Sequence, residues 1–486
     1  MGLLASASCG TISIADQSQE RKCQSSGSEG DLCQAPPSRS VVALRWAVQF
    51  VYSVPNTPHA VLIFRGPMKS SCPLSRAFVR YLALSMLVIA LSTTLTGCSN
   101  GNASMTGTGK TGSLGSYSIV AVGDSLTAGS EDGTGITYPG QLASMTGQTV
   151  TNLGIGGQPS GSIAVRINAY EGQTQQTFPS SFTFPASGIA SVSFQTGFEP
   201  CYNLEGGSDF YDFGVPIQFT VGGTTYTGRC KANVNAPGYS IRPETYPSAP
   251  VTVPAGTPWT AVVPAMSNGC VLIWAGRDNY LNGTKIQVDI AAMVAVVKQQ
   301  TSCYLVMSIP NGAYVTEWKG TTDYNAIMTL NSELSATYSP GNHYLDIRTA
   351  LVALYNPNNP ADVLDYSHDV WPYSLRAGDI QGSFASPLAS PSSCAFSTSA
   401  LLTTGQVISA NAELIQILGG NNGAYSCTRG YAGTIPGTYA GGTAFTGVDP
   451  LHLGQNPESG LNPTYTNGYT AVAAQVYAWL QSNAPK

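Results

Sequence analysis

The sequence has little charge of either sign. Asp, Glu, Lys and Arg make up only 10% of its 486 residues, and the formal net charge at pH 7 is −5. Proteins that bind nucleic acid present a basic patch or stripe to the phosphates, and the sequence contains no such cluster. We therefore do not expect nucleic acid as a partner. Ser, Thr, Gly and Asn must supply most of the polar surface.

Histidine is also scarce, with four residues in the chain, and no Cys-x-x-Cys pair occurs. Zinc sites are usually built from Cys and His at short spacings. The sequence therefore predicts no zinc site, and we expect neither a metal nor a cofactor.

The longest early apolar stretch is short for a membrane span. From Met68 the chain carries basic residues, then an apolar stretch at residues 81–91, then small residues. This layout is typical of an export signal rather than of a spanning helix. The end of the segment, Leu-Thr-Gly-Cys at residues 95–98, resembles the lipobox of bacterial lipoproteins, in which the Cys is lipidated and becomes the first mature residue.

We therefore predict a lipoprotein signal peptide at residues 68–97, a lipidated Cys98 and a flexible tether at residues 98–116. An export signal stands at the start of a nascent chain, so translation is predicted to begin at Met68. Residues 1–67 would then not be part of the native protein. The alternative is an uncleaved anchor with residues 1–67 on the cytoplasmic side. If the signal peptide is cleaved and Cys98 is lipidated, the protein is exported and held at a membrane by its lipid.

Six cysteines follow Cys98, and an even number in an exported chain indicates disulfides. Two of them open the apolar runs CVLIWAG and CYLVMSI. If these runs are neighbouring parallel strands, their first residues lie about 5 Å apart, within reach of a disulfide. The remaining four would pair locally, each pair inside an inserted segment. The predicted pairs are Cys270 with Cys303, Cys201 with Cys230, and Cys394 with Cys427.

Strand-like and helix-like segments alternate along much of the chain. YSIVAV, QTVTNLG, CVLIWAG and CYLVMSI read as strands, HYLDIRTALV is a candidate fifth strand, and a final helix follows a cap at Thr466 or Asn467. This alternation predicts an α/β fold with a mostly parallel sheet covered on both faces. The predicted scaffold comprises residues 117–170, 268–378 and 448–486.

Two stretches break this alternation. Residues 171–267 are rich in Thr, Val, Phe, Gly and Pro with frequent turn signals, and they predict an inserted all-β domain. Residues 379–447 predict a second, smaller β-rich insertion. The aromatic side chains of the first insertion either stack on sugars or fill its core, and we favour the core. These side chains are Phe198, Tyr202, Phe210, Tyr211, Phe213 and Tyr226.

Ser125 follows the first predicted strand in the sequence Gly-Asp-Ser-Leu, at the edge where open α/β folds build their sites. A nucleophilic serine needs a histidine base that a carboxylate orients. His368 and His452 each stand three residues after an aspartate, Asp365 and Asp449. The position of DPLHL just before the last helix favours His452. For Asp365 and His368 we favour a surface pair in a loop.

Four segments in chain order carry a resemblance to a known family: GDSL at 123–126, NLGIGG at 152–157, WAGRDN at 274–279 and DPLHL at 449–453. They resemble the four blocks of the SGNH (GDSL) hydrolase superfamily, whose members are esterases, lipases and carbohydrate deacetylases. The resemblance implies a flavodoxin-like three-layer α/β/α fold. β-rich insertions in such hydrolases occur in bacterial surface and phage-tail proteins.

The resemblance also implies residue roles. Ser125 would be the nucleophile, His452 the base and Asp449 the residue that orients it, and the N–H groups of Ser125 and Gly157 would form the oxyanion hole. The third block differs from the family pattern, because Asp278 stands where an asparagine donor is expected. An ionised carboxylate cannot donate a hydrogen bond. Either the adjacent Asn279 supplies this donor, or Asp278 stays protonated, or the donor is absent; we favour Asn279.

We therefore predict a serine esterase that works through a Ser-His-Asp triad and an acyl-enzyme. The favoured substrate is a short-acyl ester, such as an O-acetyl group, on a glycan. A lipase or aryl esterase of the same fold is one alternative. A surface glycan-binding adhesin with a degenerate esterase site is the other, and the aspartate at position 278 is the feature that supports it.

Overall fold

The computed structural model describes most of the chain after residue 116. The described residues are 117–129, 134–170, 175–202, 214–233, 238–378, 380–411, 413–421, 423–456, 462 and 464–485. The predicted signal peptide, the predicted lipidation site Cys98 and the predicted tether fall outside the described residues.

The strands and helices of the described residues are numbered here in chain order. The strands are β1 (Ser118–Gly123), β2 (Thr149–Gly154), β3 (Gln176–Thr177), β4 (Phe182–Phe184), β5 (Ala190–Val192), β6 (Val215–Val221), β7 (Thr224–Ala232), β8 (Tyr239–Pro243), β9 (Val251–Val253), β10 (Pro258–Ala261), β11 (Cys270–Trp274), β12 (Cys303–Met307), β13 (Tyr344–Leu345), β14 (Ile380–Ser383), β15 (Ala395–Ser397), β16 (Val407–Ala410), β17 (Glu413–Asn421), β18 (Ala424–Thr428) and β19 (Ala444–Val448). The α-helices are α1 (Ser125–Ala128), α2 (Tyr138–Thr146), α3 (Ser160–Arg166), α4 (Gly283–Lys298), α5 (Thr322–Tyr338), α6 (Ile347–Val352), α7 (Pro360–Ser367) and α8 (Gly468–Asn483).

A parallel sheet of five strands forms the scaffold, in the order β13-β12-β11-β1-β2. Counted along the scaffold this is the order 2-1-3-4-5 of doubly wound sheets. β1 is apolar at every buried position because the sheet is covered on both faces. Ile119 and Ala121 pack into one core, and Val120 and Val122 pack into another.

Helices cover both faces of this sheet and give three layers. On one face, α2, α6 and α8 pack against the strands through residues such as Leu142, Leu351 and Val476. On the other face, α3, α4 and α5 pack through residues such as Ile163 and Ile290. The chain therefore has the α/β architecture that the alternation of segments predicts.

The candidate fifth strand is much shorter than the sequence HYLDIRTALV suggests. Only Tyr344–Leu345 pairs with the sheet, and Ile347–Val352 forms α6. Asp346 lies between the two, and its carboxylate accepts a hydrogen bond from the Thr349 N–H. An aspartate at this position caps a helix N-terminus, which is why the strand stops there.

Two antiparallel β regions interrupt the scaffold. The first lies between α3 and β11 and contains a sheet in the order β3-β10-β6-β7-β8-β5 with a separate pair, β4 and β9. Its core contains the buried side chains of Phe178, Phe184 and Trp259. Phe198 and Tyr226 also pack against this core, whereas Tyr202 is 37% exposed. Phe210, Tyr211 and Phe213 lie outside the described residues.

The second β region lies between α7 and α8 as a sheet in the order β14-β19-β16-β17-β18-β15. Its entry and exit strands, β14 and β19, pair with each other. Val407 and Val448 of this sheet pack with Tyr373 and Ala361 of the scaffold. Because β19 ends at Val448, this sheet leads directly into Asp449.

Three disulfides join the pairs Cys201–Cys230, Cys270–Cys303 and Cys394–Cys427. Cys270 and Cys303 are register partners on β11 and β12, with their Cα atoms 4.6 Å apart, which is the geometry expected of neighbouring parallel strands. Disulfides persist in oxidising compartments, so these bonds indicate an exported protein. Within the part of the chain that the structure describes, no helix is both long and apolar enough to cross a membrane.

Candidate active site

The candidate site lies at the carboxyl ends of the central strands. Gly123 at the end of β1 is in register with Trp274 at the end of β11 and with Gly154 at the end of β2. The three loops that follow these strands therefore leave the sheet at one edge. These loops carry the segments GDSL, NLGIGG and WAGRDN, so the sheet brings together three parts of the chain that are far apart in sequence.

Two glycines allow the Ser125 turn to lie close to the sheet. A Cβ atom on Gly154 would lie 2.0 Å from the backbone nitrogen of Ala128, and one on Gly123 would lie 2.3 Å from the Trp274 carbonyl oxygen. Neither position has room for a side chain. The short helix α1 can therefore rest on the end of β2, with Ser125 as its first residue.

Ser125 and His452 meet although 327 residues separate them in the chain. Ser125 Oγ lies 2.9 Å from His452 Nε2, and His452 Nδ1 lies 3.2 Å from Asp449 Oδ1. The serine is buried, and the His452 and Asp449 side chains are 15% and 14% exposed. This order of hydroxyl, imidazole and carboxylate is the arrangement that activates a serine nucleophile.

Asp449 is held as a carboxylate. Its Oδ1 atom accepts hydrogen bonds from the N–H groups of Leu451 and His452, at 2.6 and 2.5 Å. Burial acts to raise the pKa of Asp449, but His452 and these two N–H groups outweigh it, and the pKa lies below its ordinary value. Asp449 is therefore ionised at neutral pH and can stabilise a charged His452.

Main-chain hydrogen bonds hold the loop that carries Asp449 and His452. The Asp449 N–H donates to the Ala377 carbonyl at 2.7 Å, and the Ala377 N–H donates to the His452 carbonyl at 2.9 Å. On the other side, the Ala313 N–H donates to the Pro450 carbonyl at 2.8 Å. The loop is thus fixed between the segment before β14 and the loop after β12.

A buried ion pair supports the same loop. Arg376 Nη2 donates to Asp365 Oδ2 at 2.7 Å, and the two side chains are 0% and 1% exposed. Arg376 Nη1 also lies 3.4 Å from the Asp449 carbonyl oxygen. The prediction that Asp365 forms a surface pair with His368 is therefore wrong. Asp365 lies in α7 and faces the interior, where it pairs with Arg376, a residue that the sequence pattern did not single out.

The two other described histidines are stacked on aromatic rings. His368 lies on Trp318 with ring centroids 3.8 Å apart, and His343 lies on Tyr304 at the same centroid distance. His343 Nδ1 also lies 2.9 Å from the Tyr304 carbonyl oxygen. These contacts give both rings a packing role, and of the described histidines it is His452 that meets Ser125.

Asp124 is a second buried carboxyl group beside the serine. Its Oδ1 atom accepts a hydrogen bond from the Leu126 N–H at 3.1 Å and so caps α1. Burial raises the pKa of Asp124 to about 6, against the lowering effects of the Leu126 N–H and of His452 and Arg277. Asp124 is part of the Gly-Asp-Ser-Leu motif, but the sequence does not indicate that it is buried, because an aspartate in a turn is usually exposed to solvent.

Gly157 follows β2 in a turn that needs glycine, because its φ is +67°. The next residue, Gln158, is fully buried and donates from Nε2 to the Pro200 carbonyl at 3.0 Å. Pro200 belongs to the first inserted β region and stands next to Cys201. The inserted region therefore anchors the loop that carries Gly157.

Asn279 is tied to the start of α3. Its Oδ1 atom accepts from the Ser160 N–H at 3.0 Å, and its Nδ2 atom donates to Ser160 Oγ at 3.1 Å. Ser160 Oγ in turn donates to Asp289 Oδ2 at 2.6 Å. A carboxylate only accepts, so the Ser160 hydroxyl must donate to Asp289 and accept from Asn279. This chain of bonds sets the amide orientation of Asn279.

The polar side-chain atoms of Arg277 and Asp278, which precede Asn279 in the third block, are also shielded from solvent. Arg277 forms a two-pronged ion pair with Glu317, at 2.7 and 2.8 Å, and Glu317 also accepts from the Gly312 N–H. Asp278 is half-buried, and its Oδ2 atom is shielded from solvent. Sequence reasoning missed Ser160, Asp289 and Glu317, since each acts through a residue distant in the chain.

Comparisons with known proteins give limited similarity. No family model matches the chain, and neither does any curated protein sequence. Among solved structures, the chain is similar to a protein assigned to the G-D-S-L lipolytic family from Desulfitobacterium hafniense DCB-2, with 15% identity, a TM-score of 0.25, and coverage of 48% of this chain and 79% of that one. It is also similar to a peptidoglycan O-acetylesterase, with 9% identity, a TM-score of 0.19, and coverage of 46% and 76%.

Proposed function

We propose that the protein is a serine esterase of the SGNH (GDSL) hydrolase type. The observation that carries the proposal is the contact of Ser125 Oγ with His452 Nε2 at 2.9 Å, with Asp449 3.2 Å from the other ring nitrogen, at the carboxyl edge of a parallel sheet. The order of the four sequence segments supports it. The nucleophile, the base and the orienting carboxylate of this chemistry are all side chains of the protein.

The reaction follows from the positions of these three side chains. His452 takes the proton of the Ser125 hydroxyl as Oγ attacks the ester carbonyl carbon, and the carbonyl oxygen becomes an oxyanion. His452 then gives the proton to the alcohol oxygen as the carbon–oxygen bond breaks, which leaves Ser125 acylated. Water, deprotonated by His452, attacks the acyl group, and Ser125 recovers its proton as the acid leaves.

We propose three donors for the oxyanion: the N–H groups of Ser125 and Gly157 and the Nδ2 group of Asn279. Asn279 is supported by its bonds to Ser160, which fix the amide orientation and use one Nδ2 hydrogen. Among the described residues no acceptor takes the second Nδ2 hydrogen, which we propose donates to the oxyanion. Asp278 is not a donor in this proposal, since an ionised carboxylate would repel the developing negative charge.

The proposed substrate is a short-acyl ester, such as an O-acetyl group, on a glycan. The low charge and the polar, β-rich insertions of the chain support this choice. We further propose that the protein is exported and anchored through a lipid on Cys98. The Leu-Thr-Gly-Cys sequence and the three disulfides support that proposal. A mature chain whose intact mass shows a start before Cys98 would contradict it.

The test is hydrolysis of p-nitrophenyl acetate, butyrate and octanoate by the purified protein and by Ser125→Ala. We expect kcat/KM to fall at least about 10³-fold in the variant. Ser144→Ala, which removes an exposed hydroxyl from α2, is the matched control and should leave the rate unchanged. Preference for acetate would support the short-acyl proposal, and preference for octanoate would favour a lipase. Equal turnover in wild type and Ser125→Ala would reject the esterase proposal.

A further inference from the structure

The short helix α3 contacts the segments that carry all three proposed oxyanion donors. Its first residue, Ser160, holds the Asn279 amide through two hydrogen bonds. Its last residue, Arg166, donates from Nη2 to the Gly123 carbonyl at 2.8 Å and from Nη1 to the Leu153 carbonyl at 2.5 Å. α3 therefore joins the third block to the ends of β1 and β2.

The two carbonyl groups that Arg166 binds stand shortly before the other two proposed donors. Gly123 lies two residues before Ser125, and Leu153 lies four residues before Gly157. A guanidinium group presents its N–H groups in a rigid, planar fork, so bonds to both carbonyls hold the two strand ends at one separation. The loops that carry the Ser125 and Gly157 N–H groups therefore leave the sheet from a fixed base.

Arg166 differs from other buried arginines of the chain in its charge balance. The guanidinium groups of Arg277, Arg348 and Arg376 each lie 2.7–2.8 Å from a carboxylate oxygen. Arg166 is 6% exposed, and among the described residues no carboxylate lies within ion-pair distance of it and no group accepts from its Nε atom. Burial of a charge without a partner costs stability, which points to a role for this charge beyond folding.

The Arg166 side chain keeps its positive charge at neutral pH. Burial lowers the pKa of Arg166 to about 9, against the raising effect of Asp124, so the guanidinium remains protonated. A buried positive charge thus lies at the edge of the sheet where an ester oxygen would become negative. In a poorly solvated site such a charge acts over a longer distance than it would in water.

We propose that α3 is the frame of the oxyanion hole, with Arg166 as a positioning residue that joins the loops of two donors and supports the oxyanion with its buried charge. This inference rests on the proposed esterase function. The ester carbonyl is neutral in the ground state and becomes negative in the transition state, so the charge stabilises the second more than the first. Arg166 should therefore affect kcat more than KM.

The experiment compares Arg166→Gln and Arg166→Lys with the wild type in hydrolysis of p-nitrophenyl acetate and in inhibition by phenylboronic acid, which forms a tetrahedral anion on an activated serine oxygen. Arg166→Gln should lower kcat at least about 10-fold, keep KM within a few-fold and weaken the inhibition by a similar factor. Arg166→Lys keeps the charge without the fork and should retain more of both. Arg429→Gln removes a buried arginine from the second β region and is the matched control, with lower thermal stability and unchanged kcat expected.

Several outcomes would overturn the proposal. These are an unchanged kcat in Arg166→Gln, equal losses in Arg166→Gln and Arg166→Lys, or unchanged inhibition by phenylboronic acid. A loss of kcat in Arg429→Gln as large as that in Arg166→Gln would assign the effect to stability and would also overturn it.

A second variant covers the case in which neither Arg166 variant folds. Ser160→Ala, at the other end of α3, should then lower kcat at least about 10-fold at an unchanged KM, and an unchanged kcat would overturn the proposal. A wild type that hydrolyses no ester would reject the esterase proposal together with this one. Hydrolysis that is lost in Ser125→Ala but unaffected in Arg166→Gln would reject this inference alone.

Discussion

Single residues of the third block decide how the oxyanion would be held. Asp278 stands where the sequence resemblance leads us to expect an asparagine, and Asn279 is oriented by Ser160 and Asp289. The relay from Asp289 through Ser160 gives Asn279 a fixed amide in a site where a mobile amide would lose part of its effect. Asn279 and Asp278 therefore have different roles in the proposed oxyanion hole.

Substitutions at these neighbours separate the roles. Asn279→Ala should lower kcat of ester hydrolysis by about 10²–10³-fold with little change in KM, because an oxyanion donor acts in the transition state. Asp278→Asn should leave kcat within a few-fold. Steady-state kinetics on p-nitrophenyl acetate measures both. A large rise of kcat in Asp278→Asn, or an unchanged kcat in Asn279→Ala, would place the donor at Asp278 instead.

Asp124 sets a pH dependence of stability. Its pKa is raised to about 6 by burial, while an unfolded chain has a value near 3.9. Between these values the folded protein binds more protons than the unfolded chain, so this group lowers the free energy of unfolding as the pH rises from about 4 to above 6.

An asparagine at position 124 has no charge to desolvate. The free energy of unfolding of Asp124→Asn, relative to wild type, should therefore increase by about 1–3 kcal/mol between pH 4 and pH 7. Urea unfolding of both proteins at each pH unit measures the difference. A difference that stays constant, or that decreases with pH, contradicts the raised pKa.

At the scale of elements, α1 depends on the end of β2. The Gly154 position has no space for a Cβ atom, which would lie 2.0 Å from the Ala128 nitrogen. Gly154→Ala should displace α1, lower stability by about 1–3 kcal/mol and reduce ester hydrolysis, because Ser125 begins that helix. Thermal unfolding and kinetics measure the two effects.

Gly283→Ala is the matched control for this prediction. A Cβ atom there would meet Leu330 at 3.8 Å, an ordinary contact, at the start of α4. The change should leave activity intact and stability equal or slightly higher. Equal effects of the two substitutions would mean that the close approach of α1 to β2 is not what Gly154 provides.

Local patterns were sufficient to predict the elements that position the serine. β1, β11 and β12 are short apolar runs, whereas β2 is a partly polar run that leads into a glycine-rich loop. Asn467, one of the two predicted caps, caps α8. The run HYLDIRTALV was ambiguous, since its apolar spacing fits a strand or a helix, and the capping aspartate at 346 decided it. Sequence patterns shorter than about ten residues are therefore enough to predict most strands and helices of the scaffold.

Contacts between distant residues could not be predicted in this way. The bonds from Asn279 to Ser160 and from Ser160 to Asp289 join residues more than 100 positions apart. Arg376 and Asp365 are close in sequence, but nothing in their pattern indicates that the helix turns Asp365 inward. A charged residue is usually exposed, so burial of these groups is visible only once the chain is folded.

For the whole molecule, the two ends of the central sheet carry different features. The Cys270–Cys303 disulfide joins the amino ends of β11 and β12, while Ser125, Gly157 and Asn279 follow the carboxyl ends. The inserted β regions are joined to the scaffold near the second end, through Gln158 on one side and Asp449 on the other. We therefore expect substitutions at the amino ends of the strands to change stability, and substitutions at the carboxyl ends to change activity.

Removal of the Cys270–Cys303 bond tests this separation. The double variant Cys270→Ala, Cys303→Ala frees a 33-residue loop in the unfolded chain and should lower the free energy of unfolding by about 3–4 kcal/mol. Its kcat for ester hydrolysis at 25 °C should stay within a few-fold of the wild type. Loss of activity in a variant that is still folded by circular dichroism would show that the two ends are coupled.

The most direct test of Ser125 as the nucleophile is the mass of the protein after reaction with diethyl p-nitrophenyl phosphate. An activated serine displaces p-nitrophenol from this reagent and keeps the diethylphosphoryl group. We expect one group per chain, located on Ser125 by peptide mass, with ester hydrolysis lost in proportion to labelling. Labelling at another residue, or full hydrolysis by a protein that is not labelled, would contradict it.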